Sequence, residues 1–137
     1  MAKEFWLNLP VKDLRKSKAF FTALGFKFNS GPGNTENSAP LVLGNKNVIV
    51  MLFSELAFKG FVNQEIADTQ KSCEVLLSFD AESKEEVDEL IRKVIEAGGT
   101  SNHVPSEMTG FMYGCVFRDL DGHRWNILHM DMSKAGK

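Results

Sequence analysis

Four polar side chains in the second half of the sequence could carry the chemistry of a small-molecule site: Glu74, Tyr113, Cys115 and Asn126. A glutamate in an apolar cleft has a raised pKa and can act as a general base, or it can anchor a cationic ligand. The alternative for Glu74 is an exposed carboxylate near the start of a strand, and the sequence leaves both readings open. Cys115 needs an activating histidine to act as a nucleophile, and none is predicted on its face, so we expect it to fill apolar space.

The three histidines are predicted to be structural rather than catalytic. His123 belongs to an Asp-Gly-His turn, where side chains commonly bond their own backbone. His129 shares a strand face with Ile127 and is expected in a buried or edge position, whereas His103, two residues before Pro105, is expected to face solvent. The sequence contains neither an H-x-E nor an H-E-x-x-H element.

Composition narrows the class of protein. The chain has 137 residues, of which 43% are hydrophobic and 25% charged, with a formal net charge of −2. These values are typical of one globular domain or of two small halves that share a core. Without a basic cluster or an apolar run of roughly 18 residues, we expect neither a nucleic-acid nor a membrane partner. The two cysteines form no CxxC pair and no signal peptide is evident, which predicts a cytoplasmic protein with reduced thiols.

The elements that must position these side chains begin with a first unit over residues 1–53. Alternating apolar residues from Glu4 to Val11 predict a strand, and Asp13 is placed to cap a following helix that ends at Gly25. Three further strands are predicted at 26–29, 41–43 and 48–53. The order of this unit is therefore β-α-β-β-β.

A connector over residues 54–71, with one or two short helical turns, leads to a second unit over residues 72–132. The same order of elements returns there, and Ser83 with Glu86 forms a capping box at the start of its helix. The predicted strands of this unit are 73–80, 100–104, 111–118 and 123–130. Residues 133–137 are predicted to be a tail.

Two such units predict an α+β fold, in which a shared curved mixed sheet carries helices on its convex face and leaves a concave cleft. The alternation in each first strand places its purely apolar face under the helix: Phe5, Leu7 and Leu9 in the first unit, and Val75, Leu77 and Phe79 in the second. The mixed face, with Trp6, Asn8 and Glu74, would line the cleft.

The last hairpin adds its own residues to the predicted cleft. A four-residue loop over 119–122 would pair Cys115 with Asn126 and Tyr113 with Leu128. A mostly apolar cavity with a few polar groups is typical of small-molecule sites. The predicted pocket therefore contains Trp6, Asn8, Glu74, Tyr113, Cys115 and Asn126.

Two segments, LNLPVKDLRKSKAFFTALGF near the start and FRDLDGHRWNILHMD near the end, resemble the vicinal oxygen chelate superfamily. This superfamily includes glyoxalase I, the bleomycin-resistance proteins, fosfomycin-resistance enzymes and extradiol dioxygenases. More narrowly, the chain resembles bacterial glyoxalase-like proteins described as predicted lactoylglutathione lyases. The resemblance extends from about Phe5 to Asp131 and implies the same two-unit fold.

The resemblance also implies a divalent metal, zinc, nickel, manganese or iron, held by His, Gln or Glu side chains and acting as a Lewis acid. Carried onto this sequence, the ligand positions fall at Trp6, at Val50 or Met51, at Glu74 and at Asn126. An indole has no lone pair to offer and an amide oxygen is a poor ligand, so only Glu74 and Asn126 remain as candidates. We expect no complete metal site.

Two functions follow from this comparison. The first is a glyoxalase-like lyase or isomerase in which Glu74 is the base. The second is a metal-free binding or sequestering protein of the bleomycin-resistance type, which holds an apolar or cationic compound between Trp6, Tyr113 and Glu74. In either case the partner is a small molecule, and Trp6 is a stacking surface or a plug. The resemblance further favours a symmetric homodimer.

Overall fold

The computed structural model describes residues 1–134, which form two compact units, residues 1–68 and 69–134. Of the predicted tail, the last three residues lie outside the described residues. None of the helices in the described part of the chain has the length and apolarity that a membrane span requires.

The first unit contains a four-stranded sheet and two helices. Its strands run in the spatial order β1-β4-β3-β2, with β1 parallel to β4 and the other neighbours antiparallel. The elements are β1 (Trp6–Val11), α1 (Leu14–Ala23), β2 (Lys27–Phe28), β3 (Ser38–Leu43), β4 (Val48–Ser54) and α2 (Glu55–Val62).

Because side chains alternate along the strands of the first unit, one face of its sheet belongs to the core and the other face does not. Leu9 and Val11 of β1 are buried together with Val50 and Leu52 of β4, whereas Trp6 is exposed. The helix α1 covers this apolar face with two buried aromatic residues, Phe20 and Phe21. Burying a side chain of this size stabilises the fold by about 1.5–3 kcal/mol. The predicted cap is present, because Asp13 Oδ1 accepts from Lys16 N at 3.1 Å.

The second unit repeats this arrangement. Its strands run in the order β5-β8-β7-β6, again with the first and last strands of the unit parallel. The elements are β5 (Leu76–Ala81), α3 (Lys84–Glu96), β6 (Ser106–Met108), β7 (Met112–Arg118) and β8 (Arg124–Met130).

A long amphipathic helix closes the core of the second unit. Val87, Leu90, Ile91 and Val94 of α3 are buried at the spacing that the sequence predicts, against a sheet face that carries Phe117, Trp125 and Ile127. Phe117 and Trp125 stack with their ring centroids 6.5 Å apart. The capping box is also confirmed, since Ser83 Oγ accepts from Glu86 N at 3.1 Å and Glu86 Oε2 accepts from Glu82 N at 2.8 Å.

The predicted α+β fold of two β-α-β-β-β units is confirmed, and the connector contains the expected helical segment, α2. The strand predicted at 100–104 is wrong. Only Thr100 bridges to Arg118 there, and the edge strand is instead β6 at Ser106–Met108. A single sheet shared between the units, with a cleft on its concave side, stays a prediction.

Candidate functional site

A cavity of about 540 Å³ opens on the side of the first sheet that α1 does not cover, which we call the outer face of the first sheet. Trp6, Asn8 and Pro10 of β1 lie opposite Ile49, Met51 and Phe53 of β4 on this face. Most of the cavity lining is apolar: Phe5, Trp6, Val48, Ile49, Met51 and Phe53. Phe61 of α2 extends the apolar surface, with its ring centroid 5.0 Å from that of Phe53.

Trp6 and Asn8 both lie on the outer face of the first sheet, as the alternation of β1 predicts. Trp6 is 52% exposed and lines the cavity, so half of its surface is open for stacking. Asn8 is exposed at the position opposite Met51. Phe5, which was expected under the helix, precedes the strand and is exposed.

Glu74 does not lie on a strand. The structure starts β5 at Leu76, three residues later than predicted, and Glu74 is exposed in the extended segment that precedes it. Leu76 opens the first strand of the second unit as Trp6 opens that of the first. The expected equivalence of Glu74 with Trp6 is therefore wrong, and the predicted burial of Val75 is wrong for the same reason, since it too precedes the strand.

The predicted register of the last hairpin is wrong by one residue. The structure pairs Cys115 with Ile127, Tyr113 with His129 and Val116 with Asn126. Because successive side chains of a strand point to opposite faces, a shift of one residue puts the two members of each predicted pair on opposite faces of the sheet. Tyr113 and Cys115 consequently share the face that α3 covers, and Asn126 lies on the opposite side.

The cause of this shift is the side chain of Asp119, which closes the hairpin with a loop of three residues. Asp119 N donates to His123 O at 3.1 Å, so residues 119 and 123 are paired, and Gly122 between them has a φ of +85°. Asp119 Oδ1 accepts from Asp121 N at 2.9 Å and from His123 N at 3.0 Å, and Oδ2 accepts from Trp125 Nε1 at 3.0 Å.

Asp119 is a buried carboxylate that the sequence reasoning missed. Burial raises its pKa, against the lowering effects of the nearby His123 and of the hydrogen bonds that it accepts. The signal was present in the sequence, because an aspartate at the first position of a turn commonly bonds the backbone ahead of it. The structure thus agrees with the expectation that the Asp-Gly-His corner is structural.

Tyr113 and Cys115 are held by polar contacts on the helix side of the second sheet. The Tyr113 hydroxyl donates to Asp88 Oδ1 at 2.6 Å, and this bond to a carboxylate raises the pKa of Tyr113 to about 12. Cys115 Sγ lies 3.4 Å from Ser101 Oγ, and burial raises the pKa of the thiol. A thiol with a raised pKa is a poor nucleophile, in keeping with the expected filling role.

Asn126 lies on the side of the second sheet that α3 does not cover, which we call the outer face of the second sheet. It is opposite Ser78 of β5, and its Nδ2 donates to Ser78 Oγ at 3.4 Å. The residue is only 8% exposed, and its Oδ1 has no hydrogen-bond partner in the described part of the chain.

The other two histidines both lie in the second unit. His129 is half-buried, and its Nδ1 lies 3.1 Å from Ala81 O, which fixes the ring against β5. His103 is exposed, as expected, and lines a second cavity of about 410 Å³ together with Cys115.

The residues on these two outer faces do not fit a divalent metal. Four pairs of opposed residues occupy the paired strands: Trp6–Ile49, Asn8–Met51, Leu76–Arg124 and Ser78–Asn126. These eight residues offer amides, a hydroxyl and a thioether, but neither a carboxylate nor an imidazole, which are the usual ligands of such ions. Asp80, opposite Leu128 on the same face of β5, adds a single carboxylate, and one such ligand does not make a metal site. Across residues 1–134, no three His, Cys, Asp or Glu side chains are grouped closely enough to hold a metal ion.

Comparison with known proteins gives matches over almost the whole chain. Residues 4–38 match the family model described as Bleomycin resistance protein-like N-terminal. The structure of hypothetical protein SA1046 from S. aureus is 38% identical, has a TM-score of 0.84, and the match covers 94% of this chain and 95% of that one. No curated protein sequence matches significantly.

Two further solved structures carry descriptive names. A glyoxalase/bleomycin resistance protein from Albidiferax ferrireducens T118 is 25% identical with a TM-score of 0.66, over 91% of this chain and 97% of that one. A glyoxalase/bleomycin resistance protein/dioxygenase family enzyme from Burkholderia phytofirmans PsJN is 22% identical with a TM-score of 0.77, over 91% and 96% respectively, which shows the shared fold.

Proposed function

Because the chain belongs to the vicinal oxygen chelate superfamily, whose members bind small molecules, we propose that it binds a small, mainly apolar organic compound on the outer face of its first sheet, without a divalent metal. One observation carries this proposal. The positions on β1 and β4 that face the cavity hold an indole, a thioether and a phenyl ring, which are groups that bind apolar ligands.

The dimensions of the cavity support the same proposal. Its volume of about 540 Å³ lies within the range of roughly 300–1,000 Å³ that is typical of small-molecule sites. The half-exposed Trp6 provides a flat surface at one side, and the flexible side chain of Met51 can adapt to the shape of a ligand. The match of residues 4–38 to the bleomycin-resistance-like model is consistent with a binding role.

The lyase alternative has less support from the geometry. Glu74, its candidate base, is exposed and lies before β5. A general base must lie within hydrogen-bond reach of the proton that it removes, and Glu74 is not among the residues that line the cavity on the outer face of the first sheet. Lactoylglutathione lyase activity, a cytoplasmic location and a homodimer each stay predictions; size-exclusion chromatography with light scattering tests the last of these.

The proposal is tested by titrating indole into the protein while the methyl resonance of Met51 is followed by NMR. We expect saturable binding that shifts the Met51 signal. The variant Met51→Lys should abolish binding, because it places a charge in the apolar lining. The matched control is Met132→Lys, whose methionine is exposed outside the strands, and it should leave binding unchanged. Equal binding by the two variants would contradict the proposal.

A metal titration separates the two functions. Chelator-treated protein is heated with and without zinc, nickel, manganese and iron(II), and the midpoint of unfolding is compared. A metal that binds only the folded state at a hundredfold excess over its Kd stabilises that state by about 2.7 kcal/mol. We expect no such rise. A rise with one metal that Glu74→Ala removes would favour the lyase instead.

A further inference from the structure

Two charged side chains of opposite sign line the cavity on the outer face of the first sheet. Glu4 immediately precedes Phe5 at the start of the unit, and Lys46 belongs to the loop between β3 and β4. Within residues 1–134 neither side chain has an ion-pair or hydrogen-bond partner. The cavity therefore offers one free carboxylate and one free ammonium group to whatever occupies it.

The rest of the cavity lining is suited to an aromatic ring. Phe5 and Trp6 are both exposed and adjacent in sequence, and Met51 presents a thioether to the same cavity. Aromatic rings pack on other aromatic rings and on methionine sulfur. A cation held beside Glu4 also gains from the face of a neighbouring indole or phenyl ring, so the acidic end of the cavity favours an ammonium group.

We infer that the occupant is a zwitterionic aromatic compound, which is a ring that carries both an ammonium and a carboxylate group, as in an aromatic amino acid. Glu4 binds the ammonium group, Lys46 binds the carboxylate, and Trp6 with Phe5 contacts the ring. This inference rests on the proposed function, because it specifies the ligand of the same cavity. Glu4 and Lys46 form no ion pair with each other. A ligand that carries both an ammonium and a carboxylate group is therefore complementary to both side chains.

The test uses four probes that share one ring: L-tryptophan has both charges, tryptamine only the cation, indole-3-propionate only the anion, and indole neither. Their Kd values are measured by isothermal titration or by ligand-observed NMR at low salt. Since both side chains are exposed, we expect each charge contact to contribute about two- to five-fold in affinity. Tryptophan should bind most tightly and indole least, and the difference should shrink as salt is added.

Two variants assign each charge to its residue. Glu4→Gln should weaken tryptophan and tryptamine but not indole-3-propionate, and Lys46→Met should weaken tryptophan and indole-3-propionate but not tryptamine. The matched controls Glu85→Gln and Lys71→Met remove exposed charges of the second unit and should change none of the four Kd values.

The outcomes separate this inference from the function on which it rests. If indole fails to bind, the proposed function fails. If indole binds but tryptophan binds no more tightly, or if either variant leaves the Kd of tryptophan unchanged, the zwitterionic ligand is overturned while the apolar site stands.

Discussion

The two units share their order of elements, their parallel pairing of first and last strands and their polar helix caps, yet their outer faces differ. The first unit carries Ile49 and Met51 at the positions where the second carries Arg124 and Asn126. At these two positions the same backbone thus presents apolar side chains in one unit and polar side chains in the other. The fold alone therefore does not determine the chemistry of the outer face.

The units also differ in how their last hairpins close. In the first unit, the loop between β3 and β4 contains two left-handed residues, Gly44 and Asn47, and its side chains are exposed. In the second, the buried carboxylate of Asp119 accepts three hydrogen bonds. This difference indicates that the second unit depends on specific polar contacts for its stability, whereas the first leaves its loop free to line the cavity.

The largest expected effect comes from removing the carboxylate in the second hairpin. Asp119→Ala leaves Trp125 Nε1 and two backbone N–H groups without their acceptor, so we expect it to lower the free energy of unfolding by about 3 kcal/mol. The matched variant Asn45→Ala in the first unit's loop should change it by less than about 0.5 kcal/mol. Urea denaturation followed by circular dichroism measures both, and equal losses would remove the distinction between the two hairpins.

A somewhat smaller loss is expected where β7 and β8 approach closely. A Cβ at Gly114 would meet the carbonyl oxygen of Ile127 and lie 2.6 Å from Leu128 Cδ2, so Gly114→Ala should destabilise the protein by about 2 kcal/mol. In the first unit, a Cβ at Gly60 meets no atom within 4 Å in the middle of α2. Gly60→Ala should therefore stabilise the protein by about 0.5–1 kcal/mol. The midpoints of thermal and of urea unfolding should both fall for Gly114→Ala and both rise for Gly60→Ala.

The dependence of stability on pH tests whether folding raises the pKa of Asp119. Since its pKa is raised above the ordinary value of 3.8, the folded state holds this proton more tightly than the unfolded chain does. The resulting stabilisation is complete below pH 3.8 and is lost as the pH rises through the raised pKa. The difference in the free energy of unfolding between the wild type and Asp119→Asn should therefore decrease as the pH rises through this interval. An advantage that grows with pH would mean that folding lowers the pKa of Asp119 instead of raising it.

The smallest expected effect is local to the helix side of the second unit. The chain has a single tyrosine, so absorbance at alkaline pH reports the pKa of Tyr113 directly. We expect about 12 in the wild type and a value nearer the ordinary 10.0 in Asp88→Asn, because the hydrogen bond to the carboxylate is its main cause. Asp80→Asn, on the other face of β5, should leave the titration unchanged. Circular dichroism at each pH confirms that the chain is still folded.

Much of each unit could be predicted from the sequence because the signals are local. The alternation in β1 correctly placed Trp6 and Asn8 on the outer face, and the capping residues Asp13 and Ser83 correctly placed the starts of two helices. These features depend on residues that are neighbours in sequence, and a period of two or of 3.6 reveals them.

The error in the last hairpin arose at a turn whose length the alternation of its strands does not determine. The register of β7 and β8 depends on whether the turn holds three or four residues, which Asp119 decides through its bonds to Asp121 and His123. One residue of error was enough to place Tyr113 and Cys115 on the wrong face. The cavity residues Glu4 and Lys46 were missed because they come from separate parts of the chain, and only the folded unit brings both to one cavity.

The alternation of β1 has a consequence for how such a protein can change over generations. Leu9 and Val11 serve the core, while Trp6 and Asn8, on the same strand, face the outside. Mutations at the second set change the outer face, where ligand binding is proposed, while the first set keeps the chain folded. A unit of this kind can therefore change the chemistry of its outer face through point mutations that leave its core intact.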